Sequence, residues 1–334
     1  MDSFRIENGD CVSTFTLPFN ILSLRTRTDS MEASELSIRM VFIFLTTIGI
    51  LGNFTLLYHY IYFYLTRYRL RSTDWILIHL IVANILTVLG KGVPQTISSF
   101  GFTDFLNDIG CKLVSSLHRV GRGASIGSTS LLSVFQAIVI SPRNSRDSEL
   151  KVRTHKCICC SVYLNWLIYL FINSVNLVYL RARNGNESTT NLKSFFFCYS
   201  VRHDPTSDIL YATLLSSPEV ILLGLMLWAS GSMVLTLYRH KQMMQYISRT
   251  SLSSRSSPAS RATKTILLLV CTFVSFYTIS SACHSFVTLL YNPSWSLVNM
   301  TAMSSLLFPT VCPFLLMSQG SRISSYLKRN IHFP

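Results

Sequence analysis

Charged residues are scarce in this sequence. Lys, Arg, Asp and Glu make up only 13% of its 334 residues, against about 25% in a typical soluble domain. Apolar residues make up 49%, and the mean hydropathy is +0.39. These values exclude an ordinary soluble domain and indicate a chain that lies largely within a membrane.

Several stretches contain no charged side chain at all, among them residues 40–66, 157–180 and 220–238. A helix needs about 20 residues to cross the hydrocarbon core of a bilayer. We therefore predict an all-α membrane protein, a seven-transmembrane helix bundle with a short cytosolic helix after the seventh span. The predicted spans lie at about residues 37–66, 74–99, 111–140, 156–180, 207–238, 262–291 and 295–318.

The spans divide the chain into three parts. Residues 1–36 form a predicted extracellular segment, of which residues 1–30 are expected to be disordered. The bundle follows at residues 37–318, and residues 319–334 form a short tail, with the cytosolic helix at about residues 321–331.

Acidic residues are fewer than basic ones, 15 against 29. Seventeen of the basic residues flank one side of the predicted spans and seven flank the other. Because the more basic loops of a membrane protein stay in the cytosol, we predict an extracellular N-terminus and a cytosolic C-terminus, in a multi-pass protein of the plasma membrane. The net charge of +14 then reflects loops beside anionic lipid and predicts no nucleic-acid partner.

Signatures of catalysis and of transport are missing. The sequence contains no HExxH, no GxSxG and no paired carboxylates, so we predict no enzyme activity, no cofactor and no metal. It also lacks the internal repeats and paired broken helices of a secondary transporter. Acidic residues are nearly absent from the spans, Glu219 being the exception, which argues against proton coupling. A receptor is the favoured class, and a transporter remains the alternative.

Nine cysteines are an odd number, so at least one is unpaired. Cys111 opens the third span on the outer side, and Cys198 lies in the outer loop before the fifth span. A bond between them would tether that loop in an oxidising compartment. Cys157, Cys159 and Cys160 begin the fourth span on the cytosolic side, where the spacing leaves a metal site, palmitoylation or simple packing open.

The same outer loop contains an N-glycosylation sequence at Asn186, since Glu187 and Ser188 follow it. Its place on the predicted outer face favours its use. The two other such sequences, at Asn53 and Asn299, lie within spans, and we expect them to be unmodified.

Short motifs relate these seven spans to a known class. Gly52-Asn53, the LIVAN segment at residues 80–84, Trp166 and Pro218 resemble features of rhodopsin-type G-protein-coupled receptors, whereas Asp-Arg-Tyr, CWxP and NPxxY are missing. The type-1 vomeronasal (pheromone) receptors have the same features and lack the same three motifs, and several long segments of this sequence are similar to that family. They include RLRSTDWILIHLIVAN (69–84), LHRVGRG (117–123), LLSVFQAI (131–138), ISPRNSR (140–146) and LGLMLWASGSMV (223–234).

This resemblance implies a chemosensory G-protein-coupled receptor. Such a receptor binds a small, pheromone-like chemosignal in the outer half of the bundle and activates a heterotrimeric G protein. The resemblance also implies a Cys111–Cys198 disulfide. Because the motifs that usually face the G protein are missing, we assign Arg143 and Arg146, just after Pro142, as candidates for that surface.

Ionisable side chains within the spans mark the candidate ligand pocket. Each costs about 2.5–3.5 kcal/mol at the centre of a span, so a function or a buried partner is expected. His118 and Arg122 share a helix face with Arg119 beside them, about 10–17 Å below the outer end of the third span, and Lys91 adds a charge from the second span. We predict either direct contact with an anionic or acceptor-rich ligand, or an internal network joining Arg122 to Glu219 or to backbone carbonyls.

Other polar and aromatic residues complete the prediction. Phe276, Tyr277 and His284 of the sixth span are expected to line the pocket, with packing alone as an equal alternative. Asn53 and Asn84 are expected to belong, with Glu219, to an interhelical polar network in which the two amides bond to each other.

Overall fold

The computed structural model describes residues 17–66, 72–102, 105–140, 148–174, 180–182, 192–195, 198–201, 205–247, 258–290 and 294–318. Within these residues, seven helices are long and apolar enough to cross a membrane, which confirms the predicted fold class. The structure assigns their apolar parts to Ala33–Leu65, Thr73–Ser99, Asp108–Ile140, Cys157–Ser174, Ser216–Thr236, Leu267–His284 and Trp295–Met317. We number them span 1 to span 7.

Most of the helices extend beyond these apolar parts. The helix of span 1 covers Leu17–Leu65 and that of span 4 Ser148–Ser174, whereas the helix of span 3, Asp108–Ile140, coincides with its apolar part. The remaining helices are Pro205–Ile247, Pro258–Leu289 and Trp295–Ser318. The tail, with its predicted cytosolic helix, lies outside the described residues.

The first helix begins earlier than the sequence predicted. It starts at Leu17, so residues 17–30, for which we expected disorder, are helical; residues 1–16 lie outside the described part. Pro18 at the first turn has the backbone angle of a helix and needs no hydrogen-bond partner for its nitrogen. No glycine or further proline follows before Gly49, so nothing local ends the helix before the membrane.

The fourth span ends earlier than predicted. Its described helix ends at Ser174, residues 175–179 lie outside the described part, and Leu180, to which we expected the span to extend, begins a strand. The Ser174 hydroxyl donates to the Phe171 carbonyl at 2.7 Å.

Span 2 contains a π-helical turn. It consists of Ser72–Thr87, the π-helical segment Val88–Gly92 and Val93–Ser99. Pro94 has no N–H to donate to the preceding turn, and the Val93 N–H donates five residues back, to the Val88 carbonyl. Such a turn inserts a residue into the helix and rotates its neighbours, and Lys91 lies within it.

Glycines bring spans 2 and 3 into close contact. A Cβ atom on Gly90 would lie 2.4 Å from the backbone nitrogen of His118. One on Gly121 would lie 2.8 Å from the carbonyl oxygen of Ala83. Real Cβ atoms essentially never come this near, so each helix needs glycine where it meets the backbone of the other. Small residues that let backbones approach are the usual means of packing helices in lipid.

Span 4 packs against a second pair of glycines on span 3. The ring of Tyr169 and the amide of Asn165 are four residues apart and lie over Gly123 and Gly127, which are also four apart. The Asn165 Nδ2 donates to the Ala124 carbonyl at 3.4 Å. Span 3 thereby contacts spans 2, 4, 5 and 6 and forms the centre of the bundle.

A small antiparallel sheet lies between spans 4 and 5. Its strands are β1 (Leu180–Ala182), β2 (Leu192–Phe195) and β3 (Cys198–Val201), and β3 is the middle strand. β1 packs against the helix of span 3, and Ala182 of β1 lies opposite Cys198 of β3. The sheet therefore brings the backbone of Cys198 toward span 3.

Candidate functional site

Arg122 lies at the middle of span 3 and joins it to span 6. Its side chain is 15% exposed. Its Nη1 donates to the Ser280 hydroxyl at 2.7 Å and its Nη2 to the Ser281 hydroxyl at 2.9 Å. These two bonds use two of the five N–H donors of the guanidinium. A charge placed at this depth is thus stabilised by polar partners inside the bundle.

Glu219 of span 5 is the counter-charge of Arg122. The Oε1 of Glu219 lies 3.9 Å from the Nε of Arg122, and its Oε2 accepts a hydrogen bond from the Tyr277 hydroxyl. The Arg122 guanidinium carbon also lies 4.4 Å from the centre of the Tyr277 ring, a cation–π distance. The structure thus forms the internal network that the sequence left as one of two alternatives, and it joins spans 3, 5 and 6.

A cavity lies beside this network. Its volume is about 30 Å³, which holds one or two waters, whereas a pocket for a drug-sized ligand needs about 300–1,000 Å³. Arg122 lines it together with hydroxyl groups and aromatic rings. The other lining residues are Thr87, Ser125, Phe273, Phe276, Tyr277, Ser280, Ser304, Ser305, Phe308 and Pro309.

The other predicted cations lie around the same centre. His118 is 9% exposed, and its ring centre lies 6.5 Å from that of His284 on span 6. Lys91, Arg119 and Arg122 are all near enough to His118 and His284 to interact with them electrostatically. His284 Nε2 in turn lies 3.3 Å from the Ser305 hydroxyl of span 7. Five ionisable nitrogen-bearing side chains from three spans therefore share one region, with the Glu219 carboxylate beside them.

Aromatic rings form the apolar side of the cavity. Tyr277 stacks on Phe273 with ring centres 5.4 Å apart, and Phe273 meets Phe308 of span 7 edge-to-face at 4.5 Å. Phe276 is half-buried and also lines the cavity. The predicted aromatic positions thus lie at the cavity, where Tyr277 both packs and holds Glu219.

The two buried asparagines bond to other spans and not to each other. The Nδ2 of Asn53 donates to the carbonyls of Gly49 and Pro309 at 2.7 and 2.8 Å, so that it joins span 1 to span 7. Asn84 Oδ1 accepts from the Ser125 hydroxyl at 3.1 Å, which joins span 2 to span 3. The direct bond we predicted was wrong. Polar groups buried in a bundle take the nearest partner, and a backbone carbonyl near a proline is available to any neighbouring donor.

Three serines of the site were not predicted. Ser280 and Ser281 hold Arg122, and the Ser280 hydroxyl lies 3.1 Å from that of Ser305. The sequence contains a spacing that could have indicated two of them. Ser280 and Ser281 come three and four residues after Tyr277 and therefore share its helix face. Serine is common in this sequence, and only the presence of Arg122 on the facing span distinguishes these two.

Some predicted residues cannot be placed. Arg143, Arg146 and Asn186 lie outside the described residues. Cys111 is buried and takes part in a disulfide bond, and the side chain of Cys198 is outside the described ones. The pairing of these two cysteines stays a prediction.

Comparison with known proteins gives one consistent result. The sequence model of the Vomeronasal organ pheromone receptor family matches residues 36–329. The chain is 50% identical to human Vomeronasal type-1 receptor 4 over 273 residues, which are 82% of this chain and 91% of that one. It is 45% identical to human Vomeronasal type-1 receptor 2 over 87% of this chain and 75% of that one. It is 43% identical to human Vomeronasal type-1 receptor 3 over 91% of this chain and 99% of that one.

Proposed function

The chain belongs to the vomeronasal organ pheromone receptor family, and from this premise we propose that it is a chemosensory receptor which activates a heterotrimeric G protein. The family is one of receptors and not of enzymes, and with seven apolar helices the chain is a multi-pass protein of the plasma membrane. The proposal adds where the chemosignal binds, how the bundle responds and which end faces the cytosol.

The observation that carries the proposal is the cavity beside Arg122. It lies between spans 2, 3, 6 and 7 and is bounded by the only network among the described residues that joins spans 3, 5 and 6 through charges. A ligand larger than a few waters must widen the cavity, and this moves span 6 or span 7 relative to span 3. A ligand shifts an equilibrium between two conformations by its difference in affinity for them. A ligand that binds better to the conformation with the widened cavity therefore drives the bundle toward that conformation.

The chemosignal class follows from the charges around the cavity. Arg122 lines the cavity, and Lys91 and Arg119 lie near enough to act on His284 beside it, so its polar side is electropositive, while Phe273 and Phe276 make its other side apolar. Such a site suits an amphiphile with a carboxylate, a sulfate or a ketone and disfavours an amine. Glu219 is already engaged by Arg122 and Tyr277, so it offers little to a cationic ligand.

The orientation proposed is an extracellular N-terminus and a cytosolic C-terminus. The excess of basic residues on one side supports it. The outer loop with β1 to β3, Asn186 and Cys198 then faces the oxidising, glycosylating compartment. Arg143 and Arg146, between spans 3 and 4, face the cytosol as the proposed contact for the G protein.

Reversing both of these charges is expected to uncouple the receptor from its G protein. In membranes from cells that express the receptor with a G protein, Arg143→Glu with Arg146→Glu should abolish most ligand-stimulated nucleotide exchange, because like charges face the acidic groups of the partner. Surface level, read from an N-terminal tag, should stay near wild type. Exchange that is unchanged in the double variant removes these residues from the role, and a wild-type receptor that stimulates no exchange with any G protein contradicts the proposed function.

Replacing either proposed disulfide partner is expected to give one shared defect. Cys111→Ser and Cys198→Ser should lower surface expression to the same extent, because each breaks the same tether between span 3 and the outer sheet. The double variant should be no worse than either single one. Flow cytometry of tagged receptor measures all three, with Cys283→Ser as the matched control. Defects that add in the double variant would show that the two cysteines are not bonded to each other.

A further inference from the structure

Two cysteines lie on the exposed face of span 4. Cys157 and Cys160 are exposed and are not in disulfide bonds. They continue a stripe of exposed apolar side chains formed by Leu164, Leu167 and Phe171, which are 57%, 62% and 79% exposed. The spacing of three, four, three and four residues keeps all five on one side of a helix. This side is the lipid-facing surface of the span.

Both thiols lie at one end of that stripe. The apolar span begins at Cys157, and the sequence just before it carries Lys151, Arg153 and Lys156. Basic residues beside a span mark its cytosolic end. In the proposed orientation the two thiols therefore lie at the cytosolic surface of the bilayer, with an apolar track below them that runs into the membrane.

The other cysteines are placed differently. Cys111 is in a disulfide and Cys312 is fully buried. Cys271 and Cys283 lie in span 6, four and sixteen residues after its first apolar residue, Leu267, and neither has a second exposed cysteine one turn away. The sequence contains no cysteine after Cys312. Residues 319–334 therefore contain no thiol for lipid attachment. Cys157 and Cys160, with the half-buried Cys159 between them, form the group of thiols at the cytosolic surface.

We propose that Cys157 and Cys160 are S-acylated by a long-chain fatty acid. The thiolate of each cysteine attacks the thioester carbonyl of a fatty acyl-coenzyme A. A new bond forms between the cysteine sulfur and the acyl carbon, the bond from that carbon to the sulfur of coenzyme A breaks, and the cysteine proton ends on the released coenzyme A thiol. No oxidant or reductant is needed.

An exposed apolar surface lies where the attached fatty acyl chain would pack. The acyl chain enters the bilayer at the start of span 4 and lies along Leu164 and Leu167, which are exposed to lipid. Each CH₂ buried adds to membrane binding, and two chains anchor far more firmly than one. Acylation would fix the cytosolic end of span 4, beside the proposed G-protein surface, at the level of the headgroups. This inference rests on the orientation in the proposed function.

The test uses the full-length receptor in cells. Cells are fed an alkyne analogue of palmitate, the tagged receptor is captured, and the label is read with and without hydroxylamine, which cleaves thioesters. The wild type should carry a hydroxylamine-sensitive label, Cys157→Ser with Cys160→Ser should lose it, and the matched control Cys271→Ser should keep it. Serine on an exposed face leaves packing unchanged, so surface level should be equal in all three. A label that persists in the double variant overturns the assignment, as does a wild type without label.

A thiol-accessibility measurement separates failure of the inference from failure of the orientation. With the inference correct, Cys157 and Cys160 react with a membrane-impermeant maleimide only after permeabilisation and hydroxylamine treatment. Reaction after permeabilisation alone, with no palmitate label, overturns acylation and leaves the orientation standing. Reaction in intact cells overturns both.

Discussion

Replacing Gly90 by alanine is expected to remove most folded receptor from the cell surface. The added Cβ would lie 2.4 Å from the backbone nitrogen and 2.9 Å from the Cα of His118. These atoms belong to the helix of span 3 and not to a flexible side chain, so one of the two helices must move. Overpacking of a tight interface costs about 1–3 kcal/mol, and this contact lies between spans that position Lys91 and His118.

A matched control comes from span 5. A Cβ atom added to Gly224 or to Gly231 would have no other atom within 4 Å, and alanine is the better helix former by about 1 kcal/mol. Gly224→Ala should therefore keep wild-type surface level and thermal stability in detergent, while Gly90→Ala lowers both. Equal behaviour of the two variants would show that spans 2 and 3 do not pack through Gly90 in the membrane.

The number and class of the helices could be predicted because the bilayer imposes a local rule. A segment of about 20 apolar residues must span as a helix, whatever it later packs against. This rule does not determine the residue at which a helix begins or ends. The helical residues from Leu17 depend on Pro18 and on the lack of a later breaker, and the strand that begins at Leu180 lies at the end of a run without charged residues. The π-helical turn of span 2 depends on Pro94 and on the fit of Gly90 against span 3.

The ionisable residues of the site could be predicted from the sequence, but their hydrogen-bond partners could not. Ionisable residues in a membrane stand out by their cost, so Lys91, His118, Arg119 and Arg122 were visible in the sequence. Their partners were not, because a helix presents many serines and only tertiary packing selects Ser280 and Ser281. The partner predicted for Asn53 was wrong for the same reason. Asn53 donates to the backbone carbonyl of Pro309, and no sequence pattern identifies a backbone carbonyl as a partner.

Ligand charge is expected to have the largest effect on activation. On one carbon skeleton, the carboxylate or sulfate and the ketone should be far more potent than the amine. Two like unit charges about 5 Å apart repel by about 3 kcal/mol even at an effective dielectric constant near 20, which corresponds to a difference in potency on the order of a hundredfold. The apolar contacts to Phe273 and Phe276 are common to all members of the set, so charge alone varies.

Arg122→Ala should reduce that preference. It removes one charge and two hydrogen bonds at the cavity, so the anion should lose potency and the amine should lose less or gain. Lys112→Ala is the matched control, because Lys112 lies on the same helix about 15 Å from Arg122. Surface level must be recorded for both, since Arg122→Ala also leaves Glu219 with Tyr277 as its remaining partner.

The most direct measurement is therefore a dose–response series of G-protein activation with the anionic, neutral and cationic members of one ligand skeleton, on the wild type, Arg122→Ala and Lys112→Ala. We expect that the anion or ketone activates the wild type best, that the amine is weakest, and that only Arg122→Ala narrows the difference in potency between them. If the amine activates best and Arg122→Ala leaves every potency unchanged, then Arg122 and its neighbours hold the bundle together and do not recognise the ligand.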